Sequence, residues 1–155
     1  MNKLWVVGDS FSRSADDDSK KDWPNIVADR LNLELYNKSE LGTSQDWAFE
    51  LIQLHRNDIT QDDQIILALT DPARFYFSQE YPNFSYVNIV GLQNYLPGGL
   101  HHAIEQYLKY IQRPQLDIQW TAQRLAWLNN LVTIKNWRKP LILLCVPQVL
   151  ANLDD

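Results

Sequence analysis

Leu4-Trp5-Val6-Val7-Gly8-Asp9-Ser10 is the stretch that decides the fold of this chain. Four consecutive apolar residues run straight into a glycine. A run this short, continuous, and rich in β-branched and aromatic side chains predicts a strand buried on both faces of a parallel sheet. In open α/β sheets, ligands bind outside the carboxyl ends of the strands. Whatever follows Val7 therefore stands at the working edge, and Ser10 is the first residue to suspect there.

The segments that follow repeat the same logic. After a polar stretch from Ser12 to Asp22, Trp23-Pro24 opens a helix, because proline's fixed φ suits the first helical position. Ile26, Val27, Arg30 and Leu31 continue it. Leu33 to Tyr36 reads as a second strand, and Asn37 to Ser44 as a polar, glycine-containing loop ending in a serine N-cap. Trp47, Ala48, Leu51 and Ile52 mark the core face of a second helix. Asp58 to Asp63 is a turn, and Gln64 to Leu69 a third strand closed by Pro72. Strand, helix, strand, helix, strand predicts a parallel sheet with right-handed crossovers. The expected fold is a three-layer, doubly wound α/β sandwich of flavodoxin-like type, with about four strands.

From Arg74 to Gly99 the rhythm breaks, and Phe75, Tyr76, Phe77, Tyr81, Phe84, Tyr86 and Tyr95 crowd a piece too long for an ordinary connection. It reads as an aromatic insertion after strand three. Helical spacing resumes at Ile104, Tyr107, Leu108 and Ile111, Pro114 opens a long helix to about Trp137, and Leu141 to Val146 is a fourth strand. The long helix carries one apolar stripe at Ile118, Ala122, Leu125, Leu128 and Val132 and another at Trp120, Trp127, Leu131 and Ile134. One stripe can meet the sheet; the other needs the insertion or a second subunit, so a homodimer is one expectation.

Composition sets the bounds. The 155 residues fit one domain over 1–155, long enough to bury roughly two thirds of the extended surface. A net charge of −5, from 14 basic and 19 acidic side chains without a basic stripe, argues against a nucleic-acid partner. No apolar stretch approaches the roughly 20 residues of a membrane span, and no signal-peptide pattern precedes the first strand, so a cytoplasmic protein is expected. Cys145, the single cysteine, lies in an apolar run and reads as a buried, inert thiol. Asp16-Asp17-Asp18 lacks the ligand spacing and turn glycine of a calcium loop and reads as a solvated loop. Neither a metal nor a cofactor is expected.

The opening stretch, Leu4 to Ser12, resembles block I of the SGNH, or GDSL, hydrolase superfamily, whose nucleophilic serine stands at the Gly-Asp-Ser position. Two further segments are similar to that family. Asn37-Lys38-Ser39-Glu40-Leu41-Gly42-Thr43-Ser44 looks like the block II glycine loop, and Ala68-Leu69-Thr70-Asp71 falls where the block III Gly-x-Asn-Asp belongs. Trp23-Pro24 shares the likeness, which covers about the first 75 residues; beyond them the chain bears a faint resemblance to uncharacterised phage-encoded proteins. The family implies a serine esterase or acylhydrolase acting on an ester-linked small molecule or acylated glycan, with Ser10 as nucleophile. Its oxyanion donors map onto the Ser10 N–H, the Gly42 N–H and, in place of the asparagine amide, Thr70.

The chemistry explains those residue types. Acyl transfer by a serine needs a base to take its proton and donors aimed at the developing oxyanion. Glycine lets the backbone approach closely, whereas Thr70 replaces a long amide with a shorter hydroxyl donor. Asp9 and Asp71 are expected to order the loops by accepting from their amides, and Arg74 and Phe75 are candidate substrate-binding residues. The family's Asp-x-x-His block, which supplies the base after the last strand, is absent from this sequence. A longer chain carrying a further strand and helix would supply it, or His101 or His102 would take its place if the insertion folds over the strand ends. His55 falls late in helix two. The alternative is a catalytically degenerate module that binds a ligand or protein through its aromatic insertion. A flavodoxin-like phosphate loop is a third reading, weakened by the lack of a glycine-rich run and a prompt helix start.

Overall fold

A computed structural model describes residues 2–13, 22–70, 75–76, 86–87, 98–110 and 114–144. In chain order its elements are β1 (Lys3–Val7), α1 (Trp23–Leu31), β2 (Glu34–Asn37), α2 (Gln45–Leu54), β3 (Gln64–Leu69), β4 (Phe75–Tyr76), β5 (Tyr86–Val87), α3 (Gly98–Tyr110), α4 (Pro114–Lys135) and β6 (Leu141–Leu144). Four strands form one sheet in the order β2-β1-β3-β6, and every pairing in it is parallel. β1 is central, with Leu4 opposite Leu35 on one side and Gln64 on the other.

Strand alternation sorts the core into two layers. Leu4, Val6 and Ile66 face Ala28, with Trp23 and Val27 of α1 packed against them. Trp5, Val7, Ile65, Leu67 and Leu69 face the other way, onto Trp47, Phe49 and Ile52 of α2 and Leu128 and Val132 of α4. A sheet with helices on both faces is the expected three-layer, doubly wound α/β fold. The chain moves from β1 outward to β2 and then reverses to β3, so the strand order changes direction between β1 and β3. In doubly wound sheets ligands bind at such a reversal, outside the carboxyl ends of the strands.

Local chemistry explains the helix ends. The Asp22 carboxylate accepts from the Asn25 N–H at 3.3 Å, with Pro24 inside the first turn. Asn32 closes α1 in the left-handed region at φ 52°, and the Leu33 N–H returns to the Ala28 carbonyl. Ser44 caps α2 as expected, its hydroxyl accepting from the Trp47 N–H at 3.3 Å.

The long helix departs from its expected pattern. Leu125, Leu128 and Val132 meet the sheet, but Trp127 and Leu131 join that same cluster, with Trp127 edge-on to Phe49. The second stripe is thus partly absorbed by the core of the same chain. Ile118, assigned to the first stripe, is 68% exposed. At that end the inward face is polar. Asp117 is buried there, the Thr121 hydroxyl bonds Gln45, and Arg124 pairs with Asp46. Of the expected aromatic insertion, the described residues are the antiparallel pair of β4 and β5, with Phe75 opposite Val87, and the two glycines that begin α3. Cys145, Pro72 and the Asp16 to Asp18 run lie outside the described residues.

At the amino edge one carboxylate ties β1 to the turn before β3. Asp63, itself buried, accepts from the Lys3 N–H at 2.7 Å, the Trp5 indole at 3.2 Å and the Thr60 N–H at 2.9 Å. Burial pushes its pKa up, but the hydrogen bonds from Thr60, Lys3 and Trp5 outweigh that and hold it below its ordinary value. A depressed folded-state pKa contributes stability that is complete above the unfolded carboxylate pKa, roughly 4, and lost as pH falls through the folded value. Asp63→Asn should therefore cost about 1–3 kcal/mol in urea unfolding at neutral pH. That cost should shrink at acid pH, where the wild-type carboxylate is itself protonated.

Candidate functional site

Immediately after β1 the backbone turns back on itself. The Ser12 and Arg13 N–H groups both donate to the Asp9 carbonyl, at 3.0 and 3.1 Å. The Asp9 carboxylate accepts from the Phe11 N–H at 3.1 Å, so the short acidic side chain supplies the acceptor that closes the turn. Asp9 and Ser12 are buried, whereas Ser10 between them is exposed. From α1 the Trp23 indole donates to the Phe11 carbonyl at 2.8 Å and clips the turn in place.

Gly8 makes this geometry possible. A Cβ there would stand 2.7 Å from Ala68 Cβ and 2.9 Å from Ser12 Oγ, so a side chain would force β1 and β3 apart where they meet the turn. The loop after β2 is stitched to the same point. The Gly8 carbonyl accepts from the Glu40 N–H at 3.2 Å and from the Thr43 hydroxyl at 3.1 Å. The Asn37 amide donates to the Ser12 carbonyl at 2.7 Å, and its oxygen accepts from the Ser39 N–H at 3.0 Å. Within this loop Gly42 has φ 72°, a left-handed conformation that glycine adopts without a Cβ clash.

Thr70 directly follows β3, the other strand beside β1. It is 3% exposed, and its hydroxyl has no hydrogen-bond partner. Its carbonyl, by contrast, is clamped. Gln45, the first residue of α2, donates from Nε2 to the Thr70 carbonyl at 2.7 Å. The Thr121 hydroxyl lies 2.8 Å from Gln45 Oε1 and 2.9 Å from the Asp117 carbonyl. One carboxamide therefore joins the end of β3, the start of α2 and the first turns of α4.

The sequence-predicted residues thus fall on loops that end three adjacent strands: Asp9 and Ser10 after β1, Gly42 after β2 and Thr70 after β3. Asp71 and Arg74 lie outside the described residues, and Phe75 is described only as the backbone of β4. His55 is placed away from the site. It is the C-cap of α2, whose N-terminal residue bonds Thr70, and ten helical residues rise about 15 Å. There its ring lies 5.3 Å from that of Trp5 and its Nδ1 is 2.9 Å from the Asp58 carboxylate. His102 is exposed on α3, and nothing is described of the His101 side chain.

Gln45, Asn37 and Thr43 organise these loops without having been singled out in the sequence. Gln45 did leave a signal. With Ala48, Phe49 and Ile52 it completes an i, i+3, i+4, i+7 face that is buried throughout, so a carboxamide on that face needed hydrogen-bond partners in the core.

Among the described residues no cluster of three or more His, Cys, Asp or Glu side chains could hold a metal ion, and no helix is long and apolar enough to cross a membrane. The chain matches no protein-family model, no curated protein and no solved structure.

Two substitutions test this construction. Gly8→Ala should destabilise the fold by about 1–3 kcal/mol through overpacking. Gln45→Leu should cost about 1–3 kcal/mol by leaving the buried Thr70 carbonyl unpaired. Urea unfolding of each variant against wild type measures both.

Proposed function

We propose that this chain carries an acyl-transfer site of SGNH type, a serine esterase or acylhydrolase acting on an ester-linked small molecule or an acylated glycan. One observation carries the reading. On three adjacent strand-end loops no described backbone carbonyl accepts from the Ser10 or Gly42 N–H, and the Thr70 hydroxyl, like those of Ser12 and Ser39, is buried without a partner. Donors left free beside an exposed hydroxyl suit an oxygen that arrives with a substrate. Ser10 Oγ would attack the ester carbonyl carbon while the carbonyl oxygen gathers negative charge against those donors. Collapse of the adduct breaks the bond to the alcohol, which leaves with the proton that Ser10 gave up, and water then releases the acid. Asp9 holds the turn through the Phe11 N–H and acts as an ordering residue. A cytoplasmic setting belongs to the same reading, supported by a sequence with a single cysteine and so no internal disulfide.

A second reading is favoured by a different observation: among the described residues no imidazole hydrogen-bonds Ser10. A degenerate module would use the same donors to hold a ligand oxygen without turnover.

Labelling with a serine-reactive fluorophosphonate separates the two. The esterase reading expects covalent labelling that Ser10→Ala abolishes, together with hydrolysis of short aryl esters. It also expects Thr70→Val to slow hydrolysis on the order of 100-fold, the usual cost of losing one oxyanion donor. An intact protein inert to probe and esters alike is a binding module instead.

A further inference from the structure

Two large apolar side chains are left in solvent beside the proposed nucleophile. Phe11, next to Ser10, is 61% exposed, and Leu41, next to Gly42, is 57% exposed. Isolated exposed apolar residues are ordinary; their placement is what distinguishes these. Among the described residues, the other large exposed hydrophobics lie on the helices α1 to α4 or on β6, whereas Phe11 and Leu41 alone occupy the loops at the carboxyl edge. Those loops are fastened together. Gly8 receives bonds from Glu40 and Thr43, and Asn37 holds the Ser12 carbonyl, so the two chain segments bearing Phe11 and Leu41 converge on the same strand end. The Phe11 backbone is fixed on both sides, by the Asp9 carboxylate at its N–H and the Trp23 indole at its carbonyl. A held backbone carrying an exposed ring is preorganised to bind at little further entropic cost.

We propose that Phe11 and Leu41 form an apolar shelf that takes the aliphatic acyl chain of the substrate, making the site selective for medium-chain esters over acetyl esters. The proposal rests on the reading of Ser10 as nucleophile. With an acyl carbonyl held by the Ser10 and Gly42 amides, the exposed apolar side chains that the same two loops offer the alkyl chain are Phe11 and Leu41, one residue from each amide. Each methylene removed from water there adds about fourfold to transition-state binding, up to the length the shelf can cover.

The test is a series of p-nitrophenyl esters with acyl chains of two to eight carbons, run on wild type, Phe11→Ser, Leu41→Ser and the double variant. Both positions are exposed, and circular dichroism melts check that the variants are folded. Wild type should show kcat/KM rising tenfold or more from the acetyl ester to the longer chains, and the double variant should flatten that rise. A flat wild-type profile, or a rise that survives both substitutions, overturns the shelf while leaving the esterase reading standing. If wild type hydrolyses none of the esters, the nucleophile reading fails and an octanoate titration by amide NMR decides the shelf separately. Shifts at residues 10, 11, 41 and 42 that vanish in the double variant support it, and their absence in wild type overturns it.

Discussion

The structure depends on the burial of β1 on both faces. Leu4, Trp5, Val6 and Val7 are each almost wholly removed from water, sandwiched between α1 on one side and α2 with α4 on the other, with β2 and β3 as lateral neighbours. A strand with no solvent face has no freedom of register, because a slip of one residue would exchange the indole of Trp5 for an aliphatic side chain in each layer. Asp63 fixes the same register at the amino end, since only one alignment brings the Lys3 N–H and the Trp5 indole to a single carboxylate. With β1 pinned this way, the position at which the chain leaves the sheet is set to the residue. Gly8, Asp9 and Ser10 emerge beside β3 at the point where the strand order reverses.

That exit determines what the loops must do. Three strand-end segments meet at the carboxyl edge, and their buried backbone groups need partners that the sheet no longer supplies. Short polar side chains provide them: Asp9 for Phe11, Asn37 for Ser12 and Ser39, Thr43 for Gly8, and Gln45 for Thr70. Against this economy of pairing, three buried hydroxyls on the same strand-end loops, those of Ser12, Ser39 and Thr70, are left unpaired. Such a group costs about 1–3 kcal/mol, and sites that bind a ligand are where a fold tolerates it.

The sequence made the layer order and the strand ends legible because these rest on local signals. Apolar runs broken by Gly8 and closed after Leu69, Pro24 in the first turn of α1, and Ser44 as a cap each act within a few residues. The same signals placed Ser10, Gly42 and Thr70 after successive strands. What the sequence hid were interactions between distant segments. Ile118 looked like core because apolar residues recur at helical spacing, yet Asp117 is the buried residue there, and Thr121 and Arg124 meet Gln45 and Asp46, 76 and 78 positions away in the chain. Periodicity scores polarity, and it misreads a helix face that is buried through hydrogen bonds. Trp127 and Leu131 were misjudged for a related reason, since a helix spanning α2 and the sheet buries a wider arc than one facing the sheet alone.

How Ser10 would act with no imidazole bonded to it among the described residues turns on the separability of the terms in acyl transfer. Donors for the oxyanion and a general base contribute through different parts of the transition state, and removing triad members from a serine protease leaves a residual catalysis of about 10³–10⁴ over water from the oxyanion hole and binding alone. On the proposed reading, the loops around Ser10 offer the first contribution through a fixed turn, a left-handed glycine and an unpaired hydroxyl. Nothing in their construction depends on the second. His55 is held about 15 Å along α2 from the end that bonds Thr70, paired with Asp58 and packed near Trp5, and no rotamer change bridges that distance. On the proposed reading, affinity for an oxyanion and rate of turnover are therefore separate properties, each measurable without the other.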